Sequence, residues 1–160
     1  MHVVITRPRE DADDLAADVA ARGHEPVLAP LLEIELVRPA GGDLEGTLSG
    51  VQALAFTSSN GVRAAAHLNL PRQLPVFAVG DATAQSAEAA GFRQVESASG
   101  DAAALARLIR RRLDSRDGPV LHLSGEAIAG RLAEDLQASG FALRRVIGYR
   151  AQPVQRLPDA

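Results

Sequence analysis

Cysteine and lysine are both missing from the sequence. Without cysteine there is no disulfide, thiolate nucleophile, iron–sulfur cluster or Cys-based zinc site. All 17 basic residues are arginines, so a lysine Schiff base and the P-loop lysine are excluded too. Tryptophan is absent and aromatics make up 3%, too few for the stacking platforms that hold single-stranded nucleic acid. The net charge of -3 argues against binding a phosphate backbone, so no nucleic-acid partner is expected. No apolar run approaches the ~18 residues of a membrane span, and Val3-Val4-Ile5 is broken at once by Arg7, Pro8 and Arg9, unlike a signal peptide. The expectation is a soluble cytoplasmic domain with no membrane contact. What is present is ordinary for a globular chain: 160 residues, 46% hydrophobic and 23% charged, about one domain by length.

Short aliphatic runs alternate with Ala/Leu-rich amphipathic stretches, the pattern of βα units around a parallel sheet. Strands are expected at 2–6, 26–35, 52–57, 75–79, 93–96, 119–123 and 143–150. Helices are expected at 10–22, 60–68, 82–90, 101–113 and 127–139, several closing on glycine (Gly23, Gly91, Gly140), with Asp101 placed to cap the fourth. Pro39 to Gly50 is the loose interior connector and reads as the best boundary. Residues 3–33 and 120–150 superpose at an offset of 117, matching Val3/Val120, Leu15/Leu132, Asp18/Asp135, Val19/Leu136 and Gly23/Gly140. Two unrelated βαβ units would look alike, and an ancestral duplication fits equally well.

In parallel sheets ligands bind beyond the carboxyl ends of the strands. The turns there read Thr6-Arg7-Pro8, Thr57-Ser58-Ser59-Asn60-Gly61, Gly80-Asp81-Ala82-Thr83, Ser99-Gly100-Asp101 and Ser124-Gly125-Glu126. Open amides in helix first turns suit carboxylates or phosphates, so an anionic small molecule is the natural ligand; each turn read alone is also an ordinary N-cap. There is no G-x-S-x-G elbow and no G-x-G-x-x-G after the first strand. The four histidines share no metal-binding spacing, and His122, in an apolar strand, reads as a hydrogen-bonded core residue rather than a catalyst. Arg110, Arg111 and Arg112 read as a solvated helix face. Tyr149, the only tyrosine, could donate a proton to a leaving group or simply close the core with its hydroxyl in water.

Six segments in order resemble the uroporphyrinogen-III synthases: Ile5-Thr6-Arg7-Pro8, Pro30-Leu31-Leu32-Glu33-Ile34, Ala55-Phe56-Thr57-Ser58-Ser59-Asn60-Gly61-Val62, Val79-Gly80-Asp81-Ala82-Thr83-Ala84, Ser99-Gly100-Asp101 and Val146-Ile147-Gly148-Tyr149-Arg150. The resemblance implies a cofactor-free, metal-free lyase of heme biosynthesis that cyclises hydroxymethylbilane with inversion of the terminal ring. It implies an α/β fold of flavodoxin-like parallel sheets in a two-domain enzyme, only one domain being complete in this chain. Residues 1–35 would be the opening βαβ unit of domain 1, 36–153 domain 2, and 154–160 the start of a return to domain 1. Under this resemblance Tyr149 and Thr83 are the catalytic candidates. Ser58, Ser59, Asn60, Gly80, Ser99, Gly100, Asp101 and Gly125 would anchor substrate carboxylates, and Arg7 would anchor or only hold its turn. The family is expected to be monomeric, whereas this chain, with strands at its start lacking sheet neighbours, is expected to dimerise or swap segments. A non-catalytic tetrapyrrole- or anion-binding module and an unrelated flavodoxin-like or receiver-like domain are the other readings, and the lack of lysine speaks against a receiver.

Overall fold

The computed structural model describes residues 1–39, 41–127 and 130–155, in two compact units. Unit 1 comprises residues 1–35 and the described residues from Ala151 onward, and unit 2 runs from Leu36 to Arg150.

In unit 1, β1 (His2–Ile5) pairs in parallel with β2 (Glu25–Leu28). A 3-10 turn (Arg9–Asp11) and α1 (Asp13–Ala21) connect them. The long strand expected over 26–35 is two strands, β2 and β3 (Leu32–Leu36). Pro30 falls at the break, where it has no N–H to offer a ladder, while its neighbours Ala29 and Leu31 donate to Ile5 O (2.9 Å) and Thr6 O (3.1 Å).

Unit 2 holds α2 (Leu44–Leu48), β4 (Ala53–Phe56), α3 (Ser59–His67), β5 (Val76–Ala78), α4 (Asp81–Ala89), β6 (Val95–Ser97), α5 (Ala102–Arg112), β7 (Val120–Gly125) and α6 (Leu132–Gln137). The last strand, β8 (Leu143–Pro153), runs on past the end of the unit. The loose connector expected from Pro39 to Gly50 therefore contains a helix and belongs to unit 2; Asp43 caps it, accepting from Gly46 N at 2.7 Å. The helix expected over 127–139 is shorter, because Gly130 sits at φ 86°, which no helix can run through; Ile128 and Ala129 of that span lie outside the described residues.

The strands of unit 2 lie in the order β8-β7-β4-β5-β6, parallel in successive pairs. Counted from β7, as the repeat invites, this is the 2-1-3-4-5 order of flavodoxin-like sheets. Strand alternation loads both faces. Leu54, Phe56, Leu121 and Leu123 pack with Val62, Ala65 and Ala87 of α3 and α4, while Ala53, Ala55 and Val120 pack with Leu105, Ile109 and Leu136 of α5 and α6. Arg110, Arg111 and Arg112 are exposed, as their helix face requires. None of the described helices is long and apolar enough to cross a membrane.

Candidate active site

In a doubly wound sheet the chain leaves in opposite directions from two adjacent strands, and the helices diverge there to open a crevice. In unit 2 that point lies between β4 and β7. Their carboxyl ends carry Thr57 and Ser58 on one side and Ser124 and Gly125 on the other. All four line a cavity of about 360 Å³, together with His122, Val79 and Tyr149.

Tyr149 is aimed into the cavity by an irregularity of β8. The β7–β8 register runs evenly from Val120↔Leu143 to Ser124↔Ile147 and then jumps to Gly125↔Tyr149, leaving Gly148 as an extra residue. The tyrosine ring lies against Gly125, so close that a Cβ there would stand 2.7 Å from Cε2. Its hydroxyl is 2.9 Å from Ser58 Oγ, and Ser58 is the N-cap of α3. The phenol is thus half-buried, oriented and paired with a neutral hydroxyl that can accept or donate.

The other polar group at the base of the crevice is His122, whose Nε2 lies 3.1 Å from Thr57 Oγ1. Burial, helped by the nearby Arg145 guanidinium, pushes its pKa down to about 4, so it is neutral around pH 7. The hydrogen-bonded core role expected for it holds, and it lines the cavity as well. Arg145 braces the far wall: Nε donates to the buried Ser124 Oγ (2.8 Å), and Nη2 donates to Gly125 O (2.7 Å) and Glu126 O (2.9 Å). Three neutral acceptors fix the carboxyl end of β7, against which Tyr149 rests.

The crevice therefore gathers Tyr149, Ser58 and Gly125 from the candidates read in the sequence. The remaining ones lie elsewhere. Thr83 is buried within α4 and does not line the cavity. Gly80 is the N-cap of α4. Ser59 Oγ accepts from Ser86 Oγ at 3.0 Å, tying α3 to α4, and Asn60 Oδ1 accepts from Arg63 Nη1. The third turn is already engaged: Ser99 Oγ and Ser97 Oγ both donate to Asp81 Oδ1 (2.8 and 2.6 Å), Gly100 N donates to Val79 O, and Asp101 caps α5 by accepting from Ala104 N. The Ser97 and Ser99 hydroxyls hold the Asp81 carboxyl below its ordinary pKa, so that turn carries its own anion. Arg7 is exposed and belongs to unit 1. Ser124 belongs to a turn that the sequence marks as ligand-facing, though it is not among the anchoring candidates, and Arg145 is the residue beside the crevice that sequence reasoning missed. Among the described residues no cluster of His, Asp and Glu could hold a metal ion.

The unit is of the doubly wound α/β class, in which small-molecule ligands bind at the switch point where this crevice lies. A family model described as uroporphyrinogen-III synthase HemD matches residues 13–160, and the chain belongs to that family. A Methanocaldococcus jannaschii protein provisionally named uroporphyrinogen-III synthase is 44% identical over 62 residues, which cover 39% of this chain and 24% of that one. The crystal structure of the uroporphyrinogen-III synthetase of Helicobacter pylori 26695 shares the fold with a TM-score of 0.62 at 19% identity, over 83% of this chain and 58% of that one. A mutant uroporphyrinogen III synthase of the extremely thermophilic bacterium Thermus thermophilus gives 0.63 at 20% identity, over 96% and 64%. The chain thus spans less than two thirds of the length of each of these relatives.

Proposed function

We propose that unit 2 supplies the proton-donating half of a uroporphyrinogen-III synthase acting in the cytoplasm on hydroxymethylbilane. The observation that carries the reading is the Tyr149–Ser58 hydroxyl pair at the switch point of a chain in this family. The first chemical demand of the reaction is departure of a hydroxyl from the terminal methylene. The phenol of Tyr149 gives its proton to that oxygen as the carbon–oxygen bond breaks, and water leaves. The pyrrole nitrogen lone pair stabilises the carbon cation left behind. Attack on that carbon by the substituted position of the terminal ring, then fragmentation and reclosure, gives the inverted product, with a ring proton lost at the end. Ser58 takes part as the hydrogen-bond partner that holds the phenol and can hand it a replacement proton. Neutral His122 keeps the crevice free of a second fixed cation beside the developing one.

Incubation with hydroxymethylbilane and separation of the porphyrin isomers tests the reading. Formation of isomer III supports it, and isomer I alone, the spontaneous product, refutes synthase activity for the chain as it stands. Self-association belongs to the same proposal, supported by the exposure of Met1, Val4, Val27, Leu31 and Leu32 in unit 1. A strictly monomeric mass by light scattering at tens of micromolar would refute that part.

A further inference from the structure

Unit 2 has a second, larger cavity of about 800 Å³, set between β8 and the residues that precede and form α2. Four arginines line it, Arg38, Arg144, Arg145 and Arg150, against a single carboxylate, Asp43. That carboxylate is occupied in capping α2. Arg144 Nη1 donates to Thr47 O (2.8 Å) and Ser49 O (2.6 Å), and Arg145 donates to the Ser124, Gly125 and Glu126 acceptors. These neutral partners orient the guanidinium groups and leave their charge uncompensated. Among the described residues the one ion pair made by the four is Arg150 to the exposed Glu126, at 3.6 Å.

In a chain of net charge -3, four guanidinium groups against Asp43 and the Glu126 partner of Arg150 leave this cavity an excess of two positive charges, which favours an anion. Val37 and Ile147 add apolar lining. The volume is that of a site for an organic ligand, far more than one inorganic ion fills. We propose that this cavity is a second anion site, built for an organic polycarboxylate with an apolar body. Arg145 belongs to the lining of this cavity, and its Nε bonds Ser124, which lines the crevice. The proposal goes beyond the synthase reading and does not depend on turnover.

Calorimetric titration of the whole chain at low ionic strength with benzene-1,3,5-tricarboxylate, and separately with inorganic phosphate, tests it. Saturable binding of the tricarboxylate, weakened by salt and by about tenfold or more in the Arg38→Gln/Arg150→Gln variant, is expected. Both arginines are exposed, so the variant is expected to fold, and Arg38→Gln alone provides a second, milder variant with a smaller loss in the same direction. Tyr149→Phe is expected to leave this binding unchanged, which separates its failure from failure of the synthase reading. No saturable binding, binding indifferent to both arginine variants, or phosphate binding as tightly as the tricarboxylate would each overturn the proposal.

Discussion

The units β1-α1-β2 and β7-α6-β8 are built alike to the level of single hydrogen bonds and furnished very differently. Val3 pairs with Pro26 and Val120 with Leu143, so the strand registers obey the same 117-residue offset as the sequence. Both helices end the same way. His24 N donates to Val19 O and Gly23 N to Ala20 O; Phe141 N donates to Leu136 O and Gly140 N to Gln137 O. These are matching Schellman closures, with both glycines at φ near +80° (78° and 82°). Yet β7 is buried along its whole length, and in β1 only Ile5 is buried. The difference lies in the neighbour. β7 has β4 on its other flank, and β4 brings Thr57 and Ser58 to the crevice. Local sequence builds the unit; the strand laid beside it supplies one wall of the crevice.

Truncation at equivalent positions exposes that difference most strongly. Leu121 and Val4 are related by the offset, and their exposures are 0% and 60%. Leu121→Ala is expected to cost about 3 kcal/mol or more in urea unfolding, since the methyl groups removed leave a cavity in a packed core. Val4→Ala is expected to change stability by less than about 0.5 kcal/mol. Equal losses would mean that the two strands are equally packed and that their neighbours make no difference.

His122 occupies the place that Ile5 holds in the other copy, and both are buried. Its folded pKa of about 4 lies below the ordinary 6.5. Between those values the unfolded chain binds the extra proton, so stability rises with pH through this window and is lost as pH falls from 6.5 towards 4, up to about 3 kcal/mol. His122→Leu, which makes the position resemble Ile5, is expected to abolish that slope while losing the Thr57 bond. A slope that persists in the variant assigns the acid sensitivity to other groups.

Tyr149 has Leu32 as its counterpart at the offset, a residue with no proton to give. Tyr149→Phe keeps the ring over Gly125 and removes only the hydroxyl that meets Ser58. The rate of isomer III formation is expected to fall about a hundredfold with little change in tetrapyrrole affinity. An unchanged rate would remove the tyrosine from the mechanism. Gly125→Ala should act through the same group by pushing the ring aside, lowering the rate without unfolding the unit.

Much of this contrast was legible in the residues themselves. The all-apolar Ala53–Phe56 run, the helix-closing glycines and the Asp101 cap each follow from chemistry confined to a few neighbours. The crevice was legible in part, because a Thr-Ser turn after a buried strand marks a strand-to-helix junction wherever it occurs. Hidden were the features that depend on distant partners. The β8 bulge at Gly148 aims Tyr149, and nothing in Ile147-Gly148-Tyr149 shows that Gly125 will face the ring. Arg145 has the sequence context of a surface charge, and only the β7–β8 register places it opposite His122 and within reach of Ser124. The surroundings of the Ser99 turn were hidden for the same reason, since the Asp81 carboxylate that its hydroxyl meets comes from a different turn.

Alanine at the two helix-closing glycines tests the shared half of the comparison. Replacing Gly23 or Gly140 with alanine forces a Cβ into the left-handed region, and a Cβ at either site meets nothing within 3 Å. The penalty is then conformational alone, about 1 kcal/mol at each position. Hydrogen exchange read separately on α1 and α6 amides should show the same loss of protection energy in the two variants. If Gly140→Ala costs several times more than Gly23→Ala, helix closure draws on the tertiary surroundings after all. The two units would then be alike in geometry but not in what holds that geometry.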